Sequence, residues 1–536
     1  MKKNIKTLSA LLLCLAMMLS VSGCRGRDKD DSQGFTDSTP GKEISRAEGA
    51  DEVFSLNSNS KYSLNPLIAT NHANQLICSL VYENLVELDN SFTVIPNVIE
   101  SWETEDGSSW KLYIAEGHVF HDGSPVTGKD VRNSIERAIV SDRFSGRFSS
   151  IWGVSHDENT VYVTLGKADM QFIKLLNIPL IKSGTYQDEH PMGSGPYAYN
   201  EDGSAIVAYS GYPGYENLPV DTVYIKEYQT ADSIISAFED SYIDIILNDP
   251  SGTTNLGFAS TNEVHSFATT NMHYVAFNEE SVLCRYPQFR VAMQFAFDRE
   301  YLPQLLNGNA VASALPMYPT CADYPKQTAD YLKYNLETCK RALESAGVQD
   351  YDEDGKLEFM SGSPQEVAID FIVNSDSSAK AGMARRFAED MESIGLTVNV
   401  RELTWDDFIK ALEEGDFDMY YSEVRLRNNF DLTELLQVRN DDEDDEDYNA
   451  RTNINYTRSK DENFQTLIDD YLASGDASRS HTFQTLCEYV CSTTGSLIVI
   501  GFEEQELISH RGVIRGIDAN LGNPLYGFEN WIIELS

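Results

Sequence analysis

The chain has 536 residues, 84 of them acidic and 41 basic, giving a formal net charge of −43. A surface this acidic repels phosphate backbones and argues against nucleic acid as a partner; its plainest role is solubility. The length exceeds what one hydrophobic core supports, so two or three lobes are expected.

Lys2, Lys3 and Lys6 precede a 12-residue apolar run, Leu8 to Leu19. That run is short of the ~20 residues a membrane span needs and suits the core of a signal peptide. Val21-Ser22-Gly23-Cys24 follows at once and resembles a bacterial lipobox, which predicts a signal peptide over 1–23 and lipidation at Cys24. Acyl chains would anchor the chain to the outer face of the cytoplasmic membrane, each buried CH₂ contributing ~0.8 kcal/mol. Residues 24–50 are polar and without hydrophobic periodicity, and read as a flexible tether reaching roughly 25–30 Å.

Beyond the tether, Ser63-Leu64-Asn65-Pro66 is followed by Leu80-Val81-Tyr82-Glu83-Asn84-Leu85, then Pro96, Glu100-Ser101-Trp102 and Trp110-Lys111-Leu112. Phe120-His121-Asp122-Gly123-Ser124-Pro125-Val126-Thr127 leads into Asp130-Val131, and Pro191-Met192-Gly193-Ser194-Gly195-Pro196-Tyr197 comes later. Phe277-Asn278, Ala296-Phe297-Asp298-Arg299 and Pro524-Leu525-Tyr526-Gly527 continue the series. Each motif alone is weak. Their shared order resembles the ABC-transporter extracellular solute-binding proteins of family 5, the peptide- and nickel-binding type, over nearly all of the mature chain.

Local patterns are physically consistent. Thr127 with Asp130 is a capping-box start for a helix carrying Val131, Ile135 and Ala138. Trp110 to Ile114 alternates as a half-buried strand. Thr230 to Asp240 predicts a helix, followed by a strand over Tyr242 to Leu247. Asn335 caps a helix carrying Leu336, Cys339 and Leu343, with Gly347 at its end. Ala379 to Ile394 predicts another helix, Leu396 to Val400 a strand, Thr404 and Asp407 a third helix start, and Phe417 to Tyr421 a returning strand. Helices alternating with short strands predict parallel βαβ units and an α/β fold. The resemblance implies the type II periplasmic-binding architecture, with two lobes around a ligand cleft plus an inserted lobe. On that basis lobe I comprises 51–85, 190–272 and 503–536, the inserted lobe II 86–189, and lobe III 273–502.

Other chemistries find little support. There is no G-x-S-x-G and no H-E-x-x-H, which argues against an exported hydrolase or a helix-borne zinc pair. Gly193-Ser194-Gly195-Pro196-Tyr197-Ala198 matches a dinucleotide fingerprint formally, yet Pro196 removes a donor from the turn that would cradle phosphate. Nine scattered histidines form no cluster by sequence; His72, His118, His121 and His156 read as turn or surface residues. Asp350-x-Asp352-x-Asp354-Gly355 begins like a calcium loop but has Ser361 where the bidentate Glu belongs, and reads as a polar turn. Asp441 to Asp447, seven consecutive acids, reads as a solvated loop. Cys78, Cys284, Cys321, Cys339, Cys487 and Cys491 lack CxxC spacing and read as buried thiols, the last two on one helix face. No catalytic residue, metal or cofactor is implied.

The resemblance implies a small polar, peptide-like solute delivered to permease and ATPase subunits by a monomeric receptor. Peptide-binding members carry an Asp, within a "GW-ADY" segment, that meets the ligand's amino group. Here Asp416-Phe417-Asp418-Met419 continues so that Arg427 falls at that place. An arginine suits a carboxylate or phosphate and cannot accept from an ammonium. Either the ligand is acidic there, with Arg425 and Arg427 on one side of the strand, or Glu423 or Asp431 takes an amine; salt bridges to neighbouring acids are the competing role for the arginines. A nickel chelate, an opine, a glycan fragment, or a sensory role without a permease are the alternatives.

Overall fold

The structure is a computed structural model describing residues 46–250, 256, 262–440, 444, 449 and 454–536. Residues 1–23, Cys24 and the tether to residue 45 lie outside the described residues, as does the acidic run 441–447 apart from Asp444. No helix among the described residues is long and apolar enough to cross a membrane.

An 11-stranded sheet runs through the molecule. In chain order its strands are β1 (Phe54–Ser58), β2 (Tyr197–Tyr199), β3 (Ala205–Ala208), β4 (Thr222–Glu227), β5 (Ile245–Asn248), β6 (Glu263–Phe277), β7 (Ala310–Ala312), β8 (Ala368–Asn374), β9 (Thr397–Leu403), β10 (Met419–Arg425) and β11 (Leu497–Ser509). Their spatial order is β9-β8-β10-β6-β11-β5-β1-β4-β3-β2, with β7 also on β11. The helices used below are α1 (His72–Val81), α2 (Gly128–Ile139), α3 (Ala231–Glu239), α4 (Leu336–Ser345), α5 (Ser378–Ser393), α6 (Trp405–Glu414) and α7 (Asp476–Cys487).

The expected α/β rhythm forms at both ends of the sheet. β8 pairs in parallel with β9 and with β10, and α5 and α6 make the crossovers. At the other end β1 is parallel to both β4 and β5, which α3 connects. Local chemistry sets the helix ends: the Ser377 side chain accepts from the Lys380 amide, and Thr404 Oγ1 accepts from the Asp407 amide. After α5, Gly395 takes φ 92°, and a Cβ there would sit 2.4 Å from the Gly355 carbonyl oxygen, so only glycine fits on either count.

Strand periodicity divides the core. In β6, Met272, Tyr274 and Ala276 enter one hydrophobic cluster, while Val275 and Phe277 enter another; in β11, Leu497 and Val499 separate from Ile498 and Ile500 in the same way. Strands buried on both faces therefore read as continuous apolar runs. A third cluster gathers Phe54 and Leu56 of β1, Leu76 and Leu80 of α1, and Leu507 of β11. It also includes Trp110, Leu112 and Val163 from a separate antiparallel sheet built from Ile99–Glu103, Ser109–Ile114, Thr160–Leu165 and Ile151–His156. This smaller sheet thus shares its core with the β1 end.

The six described cysteines are all buried and free. Burial pushes the Cys78, Cys321, Cys339 and Cys491 thiols up to about 12, which keeps them protonated and inert. Helix α7 ends at Cys487 and continues as a π-helical turn, Glu488–Thr493, that also buries Cys491.

Asp130 anchors α2 as expected, and reaches further. Its carboxylate accepts from the Thr127 amide at 3.1 Å and the Thr127 hydroxyl at 2.6 Å, and also from the Ser183 amide at 2.9 Å. Asp130→Ala should strand both amides and cost ~1–3 kcal/mol of unfolding free energy. Urea unfolding that gives an unchanged midpoint would refute this.

Candidate functional site

A cavity of about 430 Å³ opens where the β1 side of the molecule meets the end of β10. One wall is Pro66, Thr70 and the face of α1 from His72 to Ser79, with Asp142 to Arg147 beyond α2. The opposite wall is Thr270 of β6, Arg425, Leu426, Arg427 and Glu434, with Gln505 of β11 and the Leu521–Pro524 loop closing an end. Several motif residues meet here: Pro66, Tyr82, Asn84 and Pro524 all line it. A second cavity, about 500 Å³, is lined only by residues 298–334.

The four residues named from sequence fall in different places. Arg425 and Arg427 line the cavity; Glu423 and Asp431 do not. Strand β10 ends at Arg425, so Arg427 belongs to the segment after it. Its Nη1 donates to Asp431 at 2.9 Å and its Nη2 pairs with Glu434. Arg425 instead donates from Nε to the Asn271 side chain at 3.1 Å. Glu423 lies 3.2 Å from Lys380 Nζ and 3.6 Å from His273 Nε2. His273, Glu423 and buried Glu503 form a compact group that could hold a metal ion by distance, but Lys380 already supplies its cation.

Two arginines that sequence reasoning passed over border the cavity. Arg143 Nη1 donates to the Pro66 carbonyl at 2.7 Å, and Arg147 Nη1 to the Asn177 carbonyl at 3.0 Å. Both guanidinium groups lie over the Phe144 ring, at 4.8 and 5.0 Å. Loss of water around them pulls their pKa values down, to about 10 for Arg143 and about 9 for Arg147, with their positive neighbours adding to the effect. Both remain charged at neutral pH. The available signal was their own spacing, Arg143-Phe144-x-x-Arg147, which carries no chemistry until folding turns it toward α1.

Two other expectations acquire structure. Of the histidines read as turn or surface residues, His118 is partly buried with Nδ1 3.0 Å from Glu83 Oε1, and His72 borders the cavity. The Gly193–Pro196 turn is a packing device: a Cβ on Gly193 would lie 2.1 Å from the Val81 carbonyl oxygen, to which Gly195 donates its amide at 2.9 Å. The Asp350–Gly355 segment is a polar turn in which Asp350 accepts from the Asp354 and Gly355 amides.

The family model described as bacterial extracellular solute-binding proteins, family 5, matches residues 93–437. This chain belongs to that family. Family 5 proteins are solute-binding components of ABC importers, which is a transport role and not a catalytic one. The chain is 23% identical over 472 residues to the oligopeptide-binding protein AppA of Bacillus subtilis, covering 82% of this chain and 85% of the relative. It superposes on the ABC transporter substrate-binding protein CtaP of Listeria monocytogenes with TM-score 0.68 at 15% identity, covering 90% of this chain and 99% of the other. With NikZ of Campylobacter jejuni, solved in complex with Ni(L-His), the TM-score is 0.61 at 17% identity, again covering 90% and 99%. The fold of this family 5 protein is the type II periplasmic-binding architecture.

Beside the cavity, Glu87 is buried among three amide donors, from Asn84, Asn523 and Asn177. Burial outweighs those bonds and pushes its pKa up to about 7. The folded protein therefore binds a proton that the unfolded chain, titrating near the ordinary carboxylate value, has released. Stability from this group is greatest below the unfolded value and falls as pH rises toward 7, by at most ~1.4 kcal/mol per pH unit. His72, His121, His190, His265 and His510, whose pKa values burial lowers, act in the opposite direction. The diagnostic quantity is thus the difference between wild type and Glu87→Gln. Denaturant unfolding from pH 4.5 to 8 should show wild type losing ground to the mutant as pH rises; a constant difference would overturn the assignment.

Proposed function

We propose that this chain is a lipid-anchored, monomeric receptor that captures a small polar, peptide-like solute in the 430 Å³ cavity and hands it to the permease of an ABC importer. The observation that carries the reading is the composition of the cavity wall: α1 and the segment after α2 on one side, the end of β10 on the other. Two lobes that can approach across such a cavity enclose a solute and exclude water from its polar groups. In this reading lobe I is 51–85, 190–272 and 503–536, lobe II is 86–189, and lobe III is 273–502. β6 and β11 are the crossing strands. The register shift between Ala268 and Met272, opposite Glu504 and Phe502, is the natural place for them to bend.

Arg425 faces the solute directly in this scheme. Arg427 contributes one edge of the same wall while Asp431 and Glu434 hold its guanidinium in place. Asp431, engaged by Arg427, and Glu423, engaged by Lys380, are not free to take an amine.

Two experiments test the proposal. Cys24→Ala should release the protein from the membrane or leave it as an unprocessed precursor; unchanged attachment at mature size on fractionation would remove the lipid anchor. A bound solute should shrink the radius of gyration in small-angle scattering and raise the melting temperature as RT ln(1 + [L]/Kd). Tight binding at an unchanged radius would refute lobe closure.

A further inference from the structure

The cavity has the opposite charge balance to the chain that makes it. Acids outnumber bases two to one over the whole sequence, 84 against 41. Among the described residues lining the cavity, Arg143, Arg147, Arg425 and Arg427 face only two carboxylates, Asp142 and Glu434. Glu434 is already committed to Arg427.

Several buried or half-buried arginines elsewhere follow two patterns, while the exposed Arg137, Arg285 and Arg341 reach no carboxylate among the described residues. Some reach a carboxylate: Arg290 with Glu279, Arg479 with Asp323, Arg46 with Asp244. Arg299, deeply buried, is instead saturated by oxygen acceptors: the carbonyls of Val499, Gln294 and Leu332 and the Gln294 side chain. The half-buried Arg143 and Arg147 fit neither, and the exposed Arg425 joins them at the same cavity. Among the described residues none of the three has a carboxylate within ion-pair distance, and each makes a single hydrogen bond to protein, to Pro66, Asn177 and Asn271 respectively. A guanidinium has five N–H donors in a rigid fork. One bond each, with Phe144 stacked beneath two of them, fixes the planes and leaves most donors for something else.

Taking water from around Arg143 and Arg147, beside other positive charges, is unfavourable without an anion to meet them, as the lowered pKa values of both register. In a chain so rich in acids, no carboxylate among the described residues is placed within ion-pair distance of these three arginines. We propose that the cavity is built for a solute carrying at least two anionic groups, carboxylate or phosphate, held by Arg143, Arg147 and Arg425. This rests on the cavity being the solute site, and narrows the solute from small and polar to polyanionic. The two walls then have separate tasks: Arg143 and Arg147 meet one anionic group from the α1 side, and Arg425 another from the β10 side. A dianion of this kind also draws the two walls together, because neither set of arginines is neutralised unless both reach it.

Titration calorimetry on the full-length protein in detergent, with four probes, tests this. The probes are Ala-Ala, whose charges cancel; Glu-Glu and citrate, which carry several carboxylates; and inorganic pyrophosphate, which carries two phosphate groups. At least one of the last three should bind at least tenfold more tightly than Ala-Ala, and its affinity should fall as salt rises. The tightest of them identifies the anion as carboxylate or phosphate. R143Q/R147Q and, separately, R425Q should each weaken that probe at least tenfold, and by a larger factor than they weaken Ala-Ala. R425Q alters only an exposed side chain at the end of β10, so it remains informative if the double variant fails to fold. Binding of none of the anionic probes, equal affinity for Ala-Ala, or wild-type affinity in R425Q would overturn the proposal. Scattering on the same samples separates it from the receptor reading. An anionic probe that binds through these arginines without compaction upholds the polyanion site and refutes closure. Compaction by Ala-Ala with no anion preference upholds closure and overturns the polyanion site.

Discussion

The pairing of β6 with β11 is the constraint on which the rest of the structure depends. These are the two longest strands, Glu263–Phe277 and Leu497–Ser509, and each is shared by both ends of the sheet. The first part of β6 lies against the later part of β11, which β5 flanks on its other edge. The second part of β6 lies between β11 and β10. Because side chains alternate, one continuous apolar stretch supplies two separate cores on opposite faces. A one-residue slip would exchange those cores, so burial on both faces fixes the register. The pairing shifts register between His273 and Tyr274 and, over a longer stretch, at Thr269 to Asn271, where polar bonds replace the ladder: Thr269 Oγ1 donates to the Glu503 carbonyl at 2.7 Å, and Asn271 Nδ2 to the Glu503 carboxylate at 3.1 Å.

That irregularity sits next to the cavity wall. Arg425, cross-strand neighbour of Asn271, donates to its side chain, and the Leu426 amide donates to the Thr270 carbonyl at 3.0 Å. His273, two residues further along β6, lies against Glu503 and has Nδ1 3.0 Å from the Tyr421 hydroxyl. The polar groups that interrupt the sheet are therefore partnered within a single network joining β6, β10 and β11, as buried polar groups must be. The same network explains why Glu423, attractive from sequence as a ligand for an amine, serves the protein instead: it shares a face of β10 with Arg425, but His273 and Lys380 engage its carboxylate there.

Much of the fold was legible in the sequence because its signals are local. Capping at Thr127, Asn335 and Thr404, the glycine after α5, and the change from helical to strand periodicity between Ser393 and Thr397 each follow from a few neighbouring residues. Strand starts were less accurate: the returning strand expected from Phe417 begins at Met419, and that expected from Tyr242 begins at Ile245. In both, irregular residues precede the pairing, and periodicity cannot register where a partner strand begins. The site was harder to read. Arg427 stood out because its position could be aligned with a known segment. Arg143 and Arg147 lie between α2 and the Ile151–His156 strand, Arg147 in a short 3-10 turn, and nothing within that stretch reveals that Pro66 and Asn177, 77 and 30 residues away, will hold them beside α1. A residue whose partner is a distant carbonyl leaves no pattern in sequence.

The geometry also separates the arginines by what each can respond to. Arg427 is neutralised twice over by Asp431 and Glu434, so its charge is largely spent within the protein and its guanidinium is a fixed part of the wall. Arg425 has only the neutral Asn271 as partner, and a charged acceptor makes a stronger bond than a neutral amide does. A solute can shift a conformational equilibrium only by its difference in affinity for the two states. Contacts confined to the Arg143 wall are equally available in an open and a closed molecule and provide no such difference. Contacts that engage Arg143 and Arg425 at once exist only when the walls are near each other. In the receptor reading, the free energy available for closure therefore comes from the second wall, and Arg425, joined through Asn271 to the irregular segment of β6, is the residue through which that wall acts.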